Sequence, residues 1–401
     1  MWSMGKWEMV RLGDVCIVER GGSPRLISNY ITNGDNGINW IKIGDTAPNS
    51  MYITKTEEKI IPAGVKKSRY VHEGDFLLSN SMSFGRPYIL KIDGCIHDGW
   101  LLLRDKEKLF DKRFLYYYLS SDRVYDEFKS MVVGGVVNNL NSQMVRNLYV
   151  PLPPLPIQQK IADVLDRANT LIEKRKAQIE KMNLLVKSRF IEMFGDPVVN
   201  EKGWEQVTLR DVSLRMSDGP FGSNLKSSHY AESGVRVIRL QNIGVSEFLD
   251  SDKAFIPMEH YETLKKYTCL PGDVVIGTLG EPNLRACILP EHVEIAINKA
   301  DCVHFVPDIS KVVSCFVCEY INQPATLAIA GDSIHGQTRA RISMSQVAAL
   351  PIYVPPLDLQ TRFADFVRQA DKSKVGLQNG LDTLQRLYKS LTQKCFNGDL
   401  F

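Results

Sequence analysis

The chain has no apolar run long enough to span a bilayer, and no charged start leading into a long apolar centre of the kind that marks a signal peptide. Both absences point to a cytoplasmic protein without a membrane role. Its eight cysteines lie far apart, mostly in apolar contexts, which suits a reducing compartment rather than a disulfide framework. An excess of one charge is also missing. With 49 Lys and Arg against 46 Asp and Glu, the net charge is only +3, so contact with a polyanion needs a local basic face. Signatures of catalysis are absent too. There is no GxxxxGK[ST] phosphate loop, no HExxH metal pair, no GxSxG elbow and no N-P-P-[YF] tetrapeptide of an amino-methyltransferase. Asp45, Glu57 and Lys59 fit a nuclease pattern only so loosely that chance accounts for them.

What the chain does have is a long internal repeat. PPLPIQQKIAD from Pro153 returns as PPLDLQTRFAD from Pro355, 202 residues on. WEMVRLGDV from Trp7 returns as WEQVTLRDV from Trp204, and the Gly74-Asp75 motif returns as Gly272-Asp273. After each PPL motif runs a strict 4,3 spacing. In the first copy it passes through Ile161, Leu165, Ala168, Ile172, Arg175, Ile179, Met182, Val186, Arg189 and Met193. The second passes through Phe363, Val367, Ala370, Lys374, Leu377, Leu381, Leu384, Tyr388, Leu391 and Cys395. Each series reads as a heptad seam that no lone helix can bury, so the two helices are expected to pack on each other.

Length and repeat together predict more than one core. The expected layout is a first α+β domain over 1–152, a helix over 153–196, a second α+β domain over 197–354 and a second helix over 355–401. Short strands are read at Trp40 to Ile43, Phe76 to Leu78 and Val235 to Leu240, and helical patches at Arg113 to Ser120 and Val312 to Asn322. Gly74 and Gly272 are read as turns that admit positive φ. Prolines 151, 153, 154 and 156 place the start of the first long helix just after them, and Pro355 and Pro356 open the second. Gly195, Asp196 and Pro197 end the first, Asn397 and Gly398 the second. Each helix then spans about 36 residues, roughly 54 Å. Because the first helix feeds the second domain, whose end starts the second helix, the pair is expected to be antiparallel, giving a dumbbell with pseudo-twofold symmetry.

Basic and amide side chains gather where loops are expected. In the first copy these are Lys66, Lys67, Arg69, Asn80, Ser81 and Arg86. In the second they are Lys226, Arg236, Arg239, Gln241, Lys265, Lys266, Arg285, His335, Gln337, Arg339 and Arg341. Arg reads guanine, Asn and Gln read adenine and Lys mainly meets phosphate, so the groups are candidate DNA contacts. For any one of them a solvated surface is the competing reading. Cys302, His304, Cys315 and Cys318 have the ligand types of a zinc site, but VVSCFVCEYI reads better as small apolar residues on a buried helix, so metal is not expected. Arg175, Arg189 and Lys374 interrupt the seams. They fix register, extend to the seam's edge, or face a further protein.

Two variable halves, each opening with W-E-x-V-x-L-x-D-V and closing on PPL-x-x-Q and a long helix, resemble the specificity (S) subunits of prokaryotic type I restriction–modification enzymes. The resemblance covers essentially the whole chain. It is carried most specifically by Pro154, Leu155 and Gln158 and by Pro356, Leu357 and Gln360, with GPFGSNLK from Gly219 in support. It implies two target recognition domains, each reading half of a bipartite site in double-stranded DNA, with paired helices that set the spacer. It also implies docking of two methyltransferase (M) subunits, to which restriction (R) subunits add, with the PPL-x-x-Q residues marking the helix start and partner contact. S-adenosylmethionine, ATP and magnesium then belong to those partners, and this chain holds no cofactor and no catalytic residue. The rival readings are an adaptor scaffold that never touches nucleic acid, and a nuclease or methyltransferase acting alone.

Overall fold

A computed structural model describes residues 6–47, 50–80, 85–105, 107–131, 139–331 and 341–401. The chain divides into two compact units, Met1–Arg175 with Gly380–Phe401, and Lys176–Asn379. Both are α+β, and both are built on one plan.

In the first unit, one five-stranded sheet runs in the order Cys16–Arg20, Trp100–Asp105, Phe76–Ser79, Pro87–Leu90, Tyr52–Ile53. A second runs Ile31–Thr32, Glu58–Ile60, Ile38–Ile41, Gly94–Ile96, Arg69–Val71. The second unit repeats both sheets with four strands each. Ser213–Ser217, Cys302–Pro307, Val274–Gly277 and Arg285–Ile288 form one; Phe255–Ile256, Val235–Ile238, Ala296–Asn298 and Thr268–Cys269 form the other. The central strands, such as Phe76–Ser79 and Val274–Gly277, are buried along their whole length, as continuous apolar runs require. The expected turns before them are present. Gly74 and Gly272 have φ of +90° and +88°, values open to glycine but costly for other residues. In the second unit, the strand read as reaching Leu240 stops at Ile238, and residues Leu240–Asn242 form a 3₁₀ turn.

The repeat's opening and closing motifs meet in space. Met9–Arg11 pairs antiparallel with Tyr149–Pro151, and Gln206–Thr208 with Pro351–Tyr353. Each closing strand leads straight into a long helix, Leu155–Phe194 (40 residues) and Leu357–Asn397 (41 residues). Both exceed the expected 36; the first begins two residues early, because Pro156 lies inside its first turn, where its missing N–H is no loss.

Each unit contains the start of one long helix and the end of the other. In the first, Ile161 and Leu165 share a core with Tyr388, Leu391, Cys395 and Phe396. In the second, Val186, Phe190 and Phe194 share one with Phe363, Phe366, Val367 and Ala370. Within each unit, then, the helix segments run antiparallel. All twenty seam positions are buried or half-buried, and none is exposed. The charged interruptions find room inside the pair. A Cβ at Gly380 would lie 2.3 Å from the Arg175 guanidinium, so a glycine makes space for Arg175. Arg189 stacks over Phe366 and donates to Glu192 at 2.8 Å. Burial raises the carboxyls of Glu319 and Asp371, and the Lys374 charge pulls both back.

Four side chains pin the helix ends, two per unit. The amide oxygen of Gln158 accepts from Asp111 N–H at 2.8 Å, and its nitrogen donates to Leu109 O (2.9 Å) and Pro153 O (2.8 Å). Gln360 does the same with Val313 N–H, Lys311 O and Pro355 O at 2.9, 3.0 and 2.8 Å. At the other ends, Trp7 Nε1 donates to Cys395 O (3.2 Å) and Trp204 Nε1 to Phe194 O (2.9 Å), taking up carbonyls that a helix terminus leaves free. Replacing Gln158 with Leu strands three buried polar groups, and is expected to lower stability by about 3 kcal/mol. Urea unfolding checks this, with a fall in midpoint at unchanged slope; exposed Gln159→Leu should leave the midpoint in place.

Candidate nucleic-acid interface

The basic positions singled out in the sequence fall into two groups. Asn80, Arg236 and Arg285 belong to the scaffold. Asn80 is buried, and its side chain donates to Asp98 O at 2.8 Å. Arg236, only 6% exposed, donates to the Asp250 carboxylate and to Asp252 O, both at 2.8 Å, and lies over Phe255. Arg285 gives its guanidinium to four backbone oxygens, those of Ile243, Leu279, Pro282 and Leu240, at 2.6 to 3.0 Å. A guanidinium so used organises the 279–282 loop and has no free edge for a base. Arg239 chelates Asp252, Arg69 pairs with Glu19 at 3.1 Å, and Arg341 pairs with Asp301 at 3.2 Å.

The second group stays at the surface. Lys66, Lys226 and Gln241 are exposed. Lys67 reaches the Tyr30 hydroxyl, Arg86 lies over the Tyr88 ring, Lys265 pairs with Glu262 and Lys266 lies over Tyr267. Ser81, His335, Gln337 and Arg339 lie outside the described residues. Of the six residues assigned to helix start and partner contact, Gln158 and Gln360 are fully buried and sit off any surface that a partner could touch. Leu155 and Leu357 are exposed at 42% and 37%, and Pro154 and Pro356 are exposed beside them.

The carboxylates have structural uses. Asp45 accepts from the backbone N–H of Lys42 (2.6 Å) and Glu57 (3.0 Å), closing the turn after Ile38–Ile41. Asp75 bonds Arg104, while its counterpart Asp273 bonds His304 at 2.7 Å. That contact commits His304 away from Cys302, Cys315 and Cys318. Among the described residues, no three His, Cys, Asp or Glu side chains come together to hold a metal ion.

Sequence reasoning missed a notch in the first unit. Ile38–Ile41 and Gly94–Ile96 are a parallel pair, with Trp40 opposite Cys95, and the loops leaving their carboxyl ends face each other. Between them lies a cleft of about 360 Å³ lined by Ser23, Ile27, Trp40, Lys42, His97 and Asp98. Lys42 pairs with Glu58 at 2.8 Å. Asp98 Oδ1 accepts from Ser23 Oγ at 2.8 Å, a bond that holds this carboxyl below its usual range. His97 braces the two loops. The N–H groups of Ile43 and Gly99 lie 3.2 and 2.7 Å from Nε2 and Nδ1, and a neutral imidazole accepts from one of the two, since its other nitrogen carries the proton. The sequence signal for this notch lay in Gly21 and its repeat at Gly219, whose flanking residues differ.

The family described as "Type I restriction modification DNA specificity domain" matches residues 4–181. The MjaIX type I restriction enzyme specificity subunit of Methanocaldococcus jannaschii is 23% identical over 98% of this chain and 93% of its own. The MjaVIII specificity subunit of the same organism is 25% identical over 68% of this chain, which spans 63% of that relative. A solved structure from a study of complex assembly and conformational transition in the type I R-M system covers all of both chains at 19% identity, with a TM-score of 0.61. The chain is thus similar in sequence and in fold to type I restriction–modification specificity subunits. None of these likenesses favours the adaptor reading. No described helix is long and apolar enough to cross a membrane.

Burial pulls His97 below the ordinary imidazole range, against the opposing pull of Asp98 and Asp45. The folded state therefore binds this proton less readily than the unfolded chain. Stability from His97 is complete above the unfolded pKa of about 6.5 and falls as pH drops through it. Urea midpoints at pH 7.5 and 5.5 check this: the wild type should lose more on acidification than His97→Gln.

Proposed function

We propose that this chain is the non-catalytic DNA-recognition subunit of a type I restriction–modification complex, in which each unit reads one half of a bipartite duplex site. The observation that carries this reading is the form of the duplication. Two units share a frame down to the atoms of Gln158 and Gln360, yet carry different side chains on their exposed loops. A frame held constant under a varying face suits a protein that must read two unlike sequences with one geometry.

The surface group, together with the ion-paired Arg69, Arg239 and Arg341, supplies contacts to phosphate and base edges: Lys66, Lys67, Arg69 and Arg86 in the first unit, and Lys226, Arg239, Gln241, Lys265, Lys266 and Arg341 in the second. Ser81, Gln337 and Arg339 are proposed for the same role on their residue type alone. Asn80, Arg236 and Arg285 hold the loops that present them. A net charge of only +3 fits a subunit that shares phosphate contact with partners.

The long helices serve as spacer and as platform. Helices of 40 and 41 residues extend about 60 Å, while half-sites one turn apart lie about 34 to 36 Å centre to centre. Leu171, Leu184, Leu185, Ile191, Val375 and Leu387 are large apolar side chains left exposed along them, and they suit the docking of two methyltransferase subunits. Restriction subunits join that assembly. The methyltransferase partners bring S-adenosylmethionine for adenine methylation, and the restriction partners bring ATP and magnesium.

Gel shifts test the reading: the lone chain should bind DNA weakly, and the chain with its methyltransferase partner tightly and specifically. Equal affinity in both would count against it. Inserting four residues, about one helical turn, between Arg175 and Gln178 should lengthen the spacer or abolish activity. The bases read in each half should not change, as sequencing of methylated sites would show.

A further inference from the structure

Each unit holds one large apolar side chain out in solvent on a loop that is otherwise well anchored. The loop leaves an edge strand, Cys16–Arg20 in the first unit and Ser213–Ser217 in the second. It ends on a tyrosine that closes a 3₁₀ turn, Tyr30 or Tyr230. In the first unit the side chain is Leu26, 75% exposed, with its backbone in the left-handed region at φ +57°. A leucine is strained there, and its side chain gains nothing from burial. The residues around it are fixed all the same. Pro24 is buried before it, and Ile27 after it packs against Trp40, Ile60 and Cys95. Asn29 N–H donates to Leu26 O at 2.9 Å, and Ile61 N–H to Tyr30 O at 2.8 Å. In the second unit the side chain is Phe221, 49% exposed, between buried Pro220 and buried Leu225. Asn224 N–H donates to Phe221 O at 3.2 Å, and His260 Nε2 lies 2.9 Å from Asn224 O. Leu26 and Phe221 occupy different positions of the loop, but both project from a rigid base.

Cations border both loops. Lys67 Nζ donates to the Tyr30 hydroxyl at 2.5 Å and lies over its ring, and Arg69 Nε donates to Arg20 O at 3.4 Å. Arg25 is exposed next to Leu26. In the second unit, Arg239 and Lys299 flank the Tyr230 ring at 5.8 and 5.9 Å, and Lys226 is exposed on the loop itself. Carboxylates nearby have partners: Glu19 pairs with Arg69 at 3.1 Å, Asp98 accepts from Ser23 at 2.8 Å, and Arg239 chelates Asp252. An apolar tip within a cationic surround fits a polyanion with an apolar interior, which is what a base-paired duplex offers.

Resting on the DNA-reading function above, we infer that Leu26 and Phe221 are wedges, each entering the duplex between two base pairs of its own half-site and partly unstacking them. Leu and Phe are among the side chains that proteins insert between base steps, where they kink the duplex. Unstacking costs free energy, so a wedge must not simply fold back, and the buried neighbours of Leu26 and Phe221 prevent that. The cations beside them hold the phosphates that the opened step moves apart. Steps differ in how readily they open. TA and CA/TG are the most easily kinked, so each wedge selects such a step without a hydrogen bond to any base. Sequence preference of this kind adds to what the polar side chains read at base edges.

The test uses the complex of this chain with its methyltransferase partner, on the bipartite site that sequencing of methylated DNA identifies. Aminopurine, a fluorescent adenine analogue that brightens on unstacking, replaces in turn each adenine of the site except the methylated one. One position in one half should brighten with the wild type, stay dark with Leu26→Gly and brighten again with Leu26→Met. A position in the opposite half should lose its brightening with Phe221→Ala. Exchanging the step at the first position for a stiff A-tract step should weaken wild-type binding about tenfold, and Leu26→Gly binding far less. Leu26→Gly should leave the urea midpoint in place or raise it, since glycine accepts φ +57°. Stacking that the wild type leaves intact, or brightening that neither variant removes, overturns the assignment. So does loss in the same half by both variants. A lower urea midpoint for Leu26→Gly overturns it too, because the side chain then serves folding. Weaker capture of the methyltransferase by that variant without DNA, with stacking unaltered, gives the surface to the protein partner instead. If the wild-type complex modifies no bipartite site, the DNA-reading function itself fails, an outcome distinct from a normal site whose stacking Leu26→Gly does not change.

Discussion

A single buried amide at the start of each long helix sets the geometry of this protein. Gln158 has one acceptor and two donors, and all three are used, on a residue just before the helix, on a carbonyl 49 residues back and on the N–H of Asp111. Asp111 in turn caps the helix Lys112–Leu119, which packs on the sheet. One side chain therefore ties three elements: the closing strand's exit, the capped helix and the long helix. Gln360 repeats the arrangement in the second unit, with Val313 at the matching N-cap. Moving either amide would shift a helix whose register then propagates along twenty seam positions.

From that anchor the remaining features sort into frame and face. The frame includes the indole donors at the far helix ends, the positive-φ glycines before the buried strands and the arginines that hold loop carbonyls. The aspartate of each Gly-Asp turn keeps a partner on the neighbouring strand, Arg104 in the first unit and His304 in the second, although the two partners stand at different positions of that strand. The faces keep nothing but position. Such a division lets loop chemistry vary without cost to folding, because the varying side chains carry little of the burial that stabilises the unit.

The long helices, their ends and their antiparallel partnership were legible in the sequence. A 4,3 period, proline and glycine are local signals, and chain connectivity supplied the direction. The α+β character and the Gly-Asp turns were legible for the same reason. The candidate contacts were less so. Arg285 looks like a free cation until the carbonyls of Leu240 and Ile243, more than forty residues away, are seen around it. Arg236 likewise needs Asp250 and Asp252 to disclose its role. The notch of Ser23, Lys42 and Asp98 is assembled by a parallel strand pair whose members lie more than fifty residues apart, and no spacing rule reveals such a meeting.

The division of the units bears on the order in which the protein can form. The second unit is one continuous stretch, whereas the first lacks its last elements until Gly380–Phe401 has been made. Phe396 packs edge-on against Phe114 and Tyr118, and Cys395 O is the acceptor for Trp7. These contacts join residues almost a whole chain length apart. During synthesis the amino-terminal half therefore waits, incomplete and with apolar surface uncovered, while the half made after it can close first. Since exposed core of that kind invites aggregation, the last twenty or so residues act as the lid that ends the protein's most vulnerable interval.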